Sequence, residues 1–369
     1  DRAQGLATAL SARGVVWELI GDVESTRGAD PRETFRKGIQ DMSQAIALDA
    51  DLVEAYEGRG RLWRRTGIAQ ETAGEDPFDS FRKAIDDEGQ AIDRAPESAD
   101  AYDCRGLAWA TMGRAEAARG VDPGESYRRA LSDYDSALAR DATHQSAMNN
   151  RALAWMEIGR MEARKGGSPR SSLLKAIDGL DAIIGLDPGH VIAHNNRGNS
   201  RRLLGDAEAE GGEDPSDTYR KAIEDYGLAL RLNPEYVEAY HNRGSAWMAL
   251  ARAELLLGLD PAPSLDAGER DLKSAVDRRY PLAYLALASS HRAMDRFEEA
   301  QAVLEACIRE APSIAARARA ELERVRAEIA EEKGQPWRAS LHQAENWIHG
   351  GSYARARECI ERGLGQVEE

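Results

Sequence analysis

Few side chains in this sequence are spaced to do chemistry. His190 and His194 stand four apart, a spacing that lets two imidazoles share a metal ion from one face of a helix. His190 follows the turn-forming run Asp187-Pro188-Gly189, however, so a surface residue ahead of the helix is expected there, with His194 as a packing position. Cys104, Cys307 and Cys359 are widely separated, odd in number, and accompanied by no histidine in a nucleophile pattern. No H-E-x-x-H, G-x-S-x-G, C-x-x-C or phosphate-cradling loop occurs. The recurrent glycines read instead as helix stops, and the aspartates after them would repel a phosphate. Catalysis is not expected, and neither is a metal or a cofactor.

Charge narrows the partners. The 369 residues hold 49 Lys+Arg against 64 Asp+Glu, a formal net charge of -15. That excess argues against a nucleic-acid backbone as ligand, which needs a basic face. One local exception, Arg61, Arg64 and Arg65, forms a basic spot suited to an acidic or carboxyl-terminal segment, or else a solvated helix face. No apolar run approaches the ~18–20 residues that span a bilayer, so no membrane insertion is expected. The cysteine usage fits a reducing compartment, and the cytoplasm is the expected location. Opening on Asp1 rather than Met, the sequence reads as part of a longer chain.

The elements that position these residues repeat. Asp-Pro recurs at Asp30-Pro31, Asp76-Pro77, Asp122-Pro123, Asp214-Pro215 and Asp260-Pro261, with Ser168-Pro169 filling the gap, always in steps of 46 residues. Tryptophan keeps the step at Trp17, Trp63, Trp109, Trp155 and Trp247, with Arg201 as the exception. Glycine keeps it at Gly28, Gly74, Gly120, Gly166, Gly212 and Gly258. Within one step, Ala101, Arg105, Ala108, Trp109, Met112 and Ala115 follow the spacing of an amphipathic helix. Gly120 ends it, Asp122 can cap the next, and Tyr127, Ala130, Leu131, Tyr134, Ala137 and Leu138 supply a second stripe. The unit is a helical hairpin that cannot bury its stripe alone, and stacked neighbours with tryptophan rings between them are expected. Nothing reads as a strand.

These hairpins resemble the tetratricopeptide repeat. Residues 193–234 carry its small residue, alanine, aromatic, alanine and closing proline at Gly198, Ala222, Tyr226, Ala229 and Pro234. The resemblance implies an all-α superhelix, a solenoid of antiparallel helical hairpins. Against the family's 34-residue unit, 12 extra residues per step predict a first helix (A) longer by about two turns and a second helix (B) lengthened to match. Residues 1–280 are expected to form six long hairpins and 281–314 one of standard length, with Cys307 replacing a core alanine. Residues 315–369 are expected to add a helix and a closing hairpin between Pro336 and Val367, where Trp337, Leu341, Trp347 and Ile348 would form a cap or an oligomer contact. Long, Arg-Gly-rich, Asp-Pro-punctuated units are also similar to arrays attached to bacterial serine/threonine protein kinases, although this chain has no kinase motif of its own.

The resemblance implies a noncatalytic scaffold that binds a peptide or partner protein on a concave face. Its expected groove residues are Glu57, Arg61, Arg64, Arg65, Asp103, Leu107, Asn149, Leu153, Met156, Asn195, Asn199, Arg202, His241, Ser245 and Met248. Asn149, Asn195 and Asn199 could hold a ligand's peptide backbone through paired donors and acceptors. Other readings are self-association into a homo-oligomer and regulation of an attached kinase. Two ladders depart from the family's choices. Arg13, Arg59, Arg105, Arg151, Arg197 and Arg243 stand where leucine is usual, and Asp41, Asp87, Asp133, Asp225 and Asp271 share one register on the second helix. Pairing of each Arg with an Asp is expected, because a lone buried guanidinium is costly and a bidentate pair fixes register; the alternative is a ligand-binding row. Arg151 faces Gly179 in that register and would turn to Asp178 or Asp181.

Overall fold

The computed structural model describes residues 2–334 together with 360 and 361. The expected closing hairpin, with Trp337, Leu341, Trp347, Ile348 and Cys359, lies outside the described residues. Among those described, every regular element is a helix. One compact unit contains α1 (Arg2–Thr26), α2 (Arg32–Leu48), α3 (Val53–Thr72), α4 (Phe78–Arg94), α5 (Ala99–Ala118), α6 (Gly124–Arg140) and α7 (Gln145–Arg164). The other contains α8 (Arg170–Leu186), α9 (Val191–Glu210), α10 (Ser216–Leu232), α11 (Val237–Leu256), α12 (Ala262–Asp277), α13 (Pro281–Ala293), α14 (Phe297–Glu310) and α15 (Ala315–Gly334). No described helix is long and apolar enough to cross a membrane.

The 46-residue step has a simple anatomy. The A helix α9 has 20 residues and the B helix α10 has 17, against 13 in α13 and 14 in α14. The turn at 211–215 is two residues longer than the turn at 294–296. Seven of the 12 extra residues therefore extend helix A by about two turns. Only three go to helix B, which gains less than one turn and does not match helix A; the wider turn absorbs the difference.

That turn is built the same way each time. Gly28 sits at φ 75 and donates to Ser25 O at 3.0 Å, while Ala29 N donates to Glu24 O at 2.9 Å. This paired bonding satisfies the last carbonyls of the helix and needs a left-handed residue, which glycine supplies without a Cβ clash. Asp30 Oδ1 then accepts from Arg32 N at 3.1 Å, and Asp76, Asp122, Asp214 and Asp260 make the same contact to Phe78, Gly124, Ser216 and Ala262. Each aspartate so fills an orphan donor of the next helix.

Inside a hairpin, glycine on helix A admits a large ring from helix B. A Cβ on Gly106 would lie 2.7 Å from the Tyr134 ring, and one on Gly67 would lie 2.4 Å from Phe81. Between hairpins, alanine is the contact: Ala101 packs on Ala91 and Ile92, and Ala239 on Ala229 and Leu230. The tryptophans are not the deep fillers their ladder suggests. Trp17, Trp63 and Trp109 are half-buried beneath cations, with Lys37, Lys83 and Arg129 at 5.1, 4.5 and 4.7 Å from the ring centroids. Tyrosine and phenylalanine of the B helices fill the interior instead, since an indole needs room for its polar edge.

Candidate functional site

Arginine and aspartate meet once per hairpin. Arg13 Nε and Nη2 bond Asp41 at 2.6 and 2.7 Å, and Arg59 bonds Asp87 at 2.8 and 2.6 Å. Arg105 bonds Asp133 at 2.9 and 2.6 Å, and Arg243 bonds Asp271 at 2.7 and 2.7 Å. Arg197 joins Asp225 at 2.5 Å through Nη2. All five aspartates are buried. Burial pushes the Asp87 and Asp225 carboxyls above the ordinary aspartate range against the pull of their arginines. The bond to Asp87 in turn raises the Arg59 guanidinium. The arginines thus face B helices and are engaged by carboxylates.

Each guanidinium also has a second edge, and it reaches the preceding B helix. Arg197 Nη1 bonds Asp181 at 2.6 Å, and Arg59 Nη1 donates to Ser43 Oγ at 3.1 Å. Arg151, expected to turn to Asp178 or Asp181, instead bonds Asp135 at 2.9 Å through this same edge. With Gly179 in the forward register, the backward contact supplies its carboxylate.

The A-helix face is less bare than the sequence suggests. Glu18, which sequence reasoning missed, is buried and takes Arg65 Nε at 2.8 Å and Arg61 Nε at 3.3 Å. Arg65 also closes on Asp22. Arg64 alone of the three makes no ion pair among the described residues, and burial, followed by the like charge of Arg65, holds its guanidinium below the ordinary arginine value. Glu57 beside it is half-buried, and desolvation raises its carboxyl. Asp103 and Asn195 do not line an open groove; they are buried in the seam between A helices. Asp103 accepts from Ser146 Oγ at 2.7 Å and Asn150 Nδ2 at 2.9 Å, and Asn195 accepts from Asn242 Nδ2 at 3.0 Å. Short polar side chains at these positions meet the next helix before they meet solvent.

Farther along, Asn199 accepts from the Tyr226 hydroxyl at 2.8 Å and Arg202 bonds Asp206 at 2.7 Å. His241 packs 5.2 Å from the Tyr280 ring, where burial and then Arg202 push its imidazole down to about 4. Met248 Sδ receives Ser290 Oγ at 3.1 Å. Asn149, Leu107 and Leu153 are half-buried and Met156 is buried. Arg202, Ser245 and Met248 come together on a cavity of ≈ 620 Å³ with Asp206, Tyr219 and Arg252. A second cavity of ≈ 680 Å³ lies between α1 and α3, lined by Asp22, Phe35, Arg65 and Ile68. The two share equivalent positions four 46-residue steps apart, alongside the extra turns of helix A, and no motif announced them.

The other chemical candidates are accounted for locally. His190 Nδ1 accepts from Ala193 N at 3.1 Å as a helix cap, and His194 Nε2 bonds Pro188 O at 3.0 Å. Cys307 is buried in the cluster of α13 to α15, and burial raises the Cys104 thiol. Among the described residues no group of three or more His, Cys, Asp or Glu is placed to hold a metal ion.

Sequence and structure comparisons agree with this geometry. Residues 282–314, which span α13, α14 and the link to α15, match the tetratricopeptide repeat family model. The chain carries a tetratricopeptide repeat. The longer hairpins before it keep the same order of A helix, turn and B helix, so the array is an all-α tetratricopeptide-type solenoid. The chain is similar to the human IFIT1 dimer with PPP-AAAA at 15% identity over 91% of this chain and 70% of that one, with a TM-score of 0.55. It is similar to YrrB, a TPR protein with an unusual peptide-binding site, at 17% identity over 61% and 89% of the two chains, with a TM-score of 0.36. TTC0263, a thermophilic TPR protein in Thermus thermophilus, shows 18% identity to a match covering 59% and 97% in a third comparison, MamA, with a TM-score of 0.37, and 15% identity on its own account over 65% and 98%, with a TM-score of 0.41. At these identities the likeness is one of fold. No curated protein matches the chain.

Proposed function

We propose that this protein is a noncatalytic scaffold that holds an extended peptide or partner segment against the faces of its A helices. Arg64 carries the reading. Its guanidinium is largely withdrawn from water and has no ion pair among the described residues, while Arg61 and Arg65 on either side share Glu18. An uncompensated cation in a low-dielectric site is unfavourable, and a carboxylate from a bound segment would relieve it by a charge-assisted hydrogen bond. The preferred segment therefore offers an aspartate, a glutamate or a carboxyl terminus at this point. Ser245, Met248 and Arg202 offer a second, more apolar contact at the cavity they line.

The test is selection from a displayed peptide library that contains acidic, neutral and basic sequences with free and blocked carboxyl termini. Acidic or free-carboxyl peptides are expected to be enriched by the wild-type chain and lost with Arg64→Glu. Enrichment with no charge preference, unchanged by Arg64→Glu, would remove Arg64 from the site. No enrichment of any class would count against peptide binding altogether.

A further inference from the structure

The outward face of α1 is an interaction surface of a different kind. In the other A helices of the long hairpins, the alanine at one ladder position is fully buried: Ala55, Ala101, Ala147, Ala193 and Ala239. The equivalent residue of α1, Ala9, is exposed. Ile20 is 40% exposed, whereas its counterparts Ile158, Leu204 and Leu250 are buried. A helix at a solvated end of such an array normally carries a polar outer face. Here the reverse holds. Val16, Leu19 and Val23 are 52%, 60% and 48% exposed.

Two features distinguish this stripe from an ordinary stacking face. It is wider, because Val15 and Leu19 extend it across positions where α3 carries Arg61 and Arg65. It also has its own period: Ala9, Ala12, Val16, Leu19 and Val23 alternate in steps of three and four, with valine at one seam position and leucine at the other. That is the spacing by which a helix packs along a second helix of similar length and pattern. α1 has 25 residues, against 17 in the B helices α2, α4, α6, α8 and α10. The occupant that matches its length and its seam is α1 itself.

We propose that α1 is a dimerisation helix, packing its stripe antiparallel on the same stripe of a second copy, with Val16 nearest the two-fold axis. Such a contact is self-complementary and closes at two subunits. The antiparallel sense opposes the two helix dipoles, which is the favourable arrangement.

The experiment is sedimentation of the full 369-residue chain from about 1 to about 100 µM, the range over which mass action would reveal a modest dimer. A monomer–dimer equilibrium is expected. A Leu19→Glu/Ile20→Glu variant should remain a monomer throughout with an unchanged circular-dichroism spectrum, because both residues face outward. In a second variant, Val16→Cys, mild oxidation should link the new thiol to its own copy and double the mass. A wild-type monomer at every concentration overturns the proposal. So does a dimer that survives Leu19→Glu/Ile20→Glu, or one whose Val16→Cys subunits do not cross-link, since either places the contact elsewhere, as on a B-type helix or at the distal end.

Discussion

Arg201 Nη1 donates to Asp225 Oδ2 at 2.7 Å, from the position where Trp17 donates its indole N–H to Asp41 Oδ2 at 3.1 Å. The break in the tryptophan ladder therefore keeps the donor and changes only the group that carries it. Asp225 receives two guanidinium groups and is fully buried. Asp225→Ala leaves both cations without their carboxylate and is expected to destabilise the second unit by about 3–5 kcal/mol. Arg201→Trp restores the usual pair and should change stability by less than about 1 kcal/mol. Denaturant melts of the two variants would separate these outcomes; a mild effect of Asp225→Ala would mean that the pair contributes little to the fold.

Glu88 is the clearest misfit of the framework. It is 2% exposed at the position filled elsewhere by Met42, Tyr134, Leu180, Tyr226 and Leu272, and its Oε2 has no hydrogen-bond partner. Desolvation, then the like charge of Glu57, raises its carboxyl well above the ordinary glutamate value of 4.5. The folded state thus binds a proton that the unfolded state releases, and stability falls as pH rises from about 4.5 toward the folded value. Glu88→Gln should flatten that slope, so the stability difference between variant and wild type should widen with pH. Glu88→Met should stabilise by about 1–3 kcal/mol at neutral pH. Urea melts across pH read both, and parallel curves would show that Glu88 does not titrate there.

The hairpins, their turns and the 46-residue step were legible because glycine, aspartate and proline each act locally, through backbone geometry that any copy of the motif reproduces. The Arg–Asp contact was legible as a pairing of ladders. Glu18 and Asp22 were not, since they reach α3 from a neighbouring hairpin and stand at positions that other A helices fill with uncharged residues. The seams of Asp103 and Asn195 were missed for the same reason: a polar residue on an A helix looks like a groove residue until the next helix is set against it. Glu88 did leave a signal, a carboxylate in a ladder of large apolar side chains. The uneven lengthening of the two helices left none, because the sequence marks the turn and not how many residues each side takes.

His241 should titrate far from the other histidines. Burial, then the charge of Arg202, lowers its imidazole from 6.5 to about 4. The unfolded chain therefore binds the proton first, and stability is lost as pH falls from about 6.5 toward 4. His241→Phe keeps the ring packing on Tyr280 and removes the proton site, so the variant should hold its stability over that interval better than the wild type. Histidine NMR titration gives the direct check; a midpoint near 6.5 would show the ring to be hydrated.

Two glycine substitutions should fail for different reasons. Gly106→Ala keeps a helical backbone but drives a Cβ to 2.7 Å from the Tyr134 ring, a fully buried side chain that packs between helices. Overpacking of this kind costs about 1–3 kcal/mol. Gly120→Ala meets nothing within 4 Å, yet its φ of 73 is unfavourable to any residue with a Cβ, at a cost of roughly 1 kcal/mol. A compensating Tyr134→Leu change should recover part of the loss in Gly106→Ala, because it removes the ring that clashes, and should recover none in Gly120→Ala. A double-mutant cycle with Tyr134→Leu in both backgrounds measures the difference; equal coupling in the two would mean that the turn and the core do not act as separate constraints.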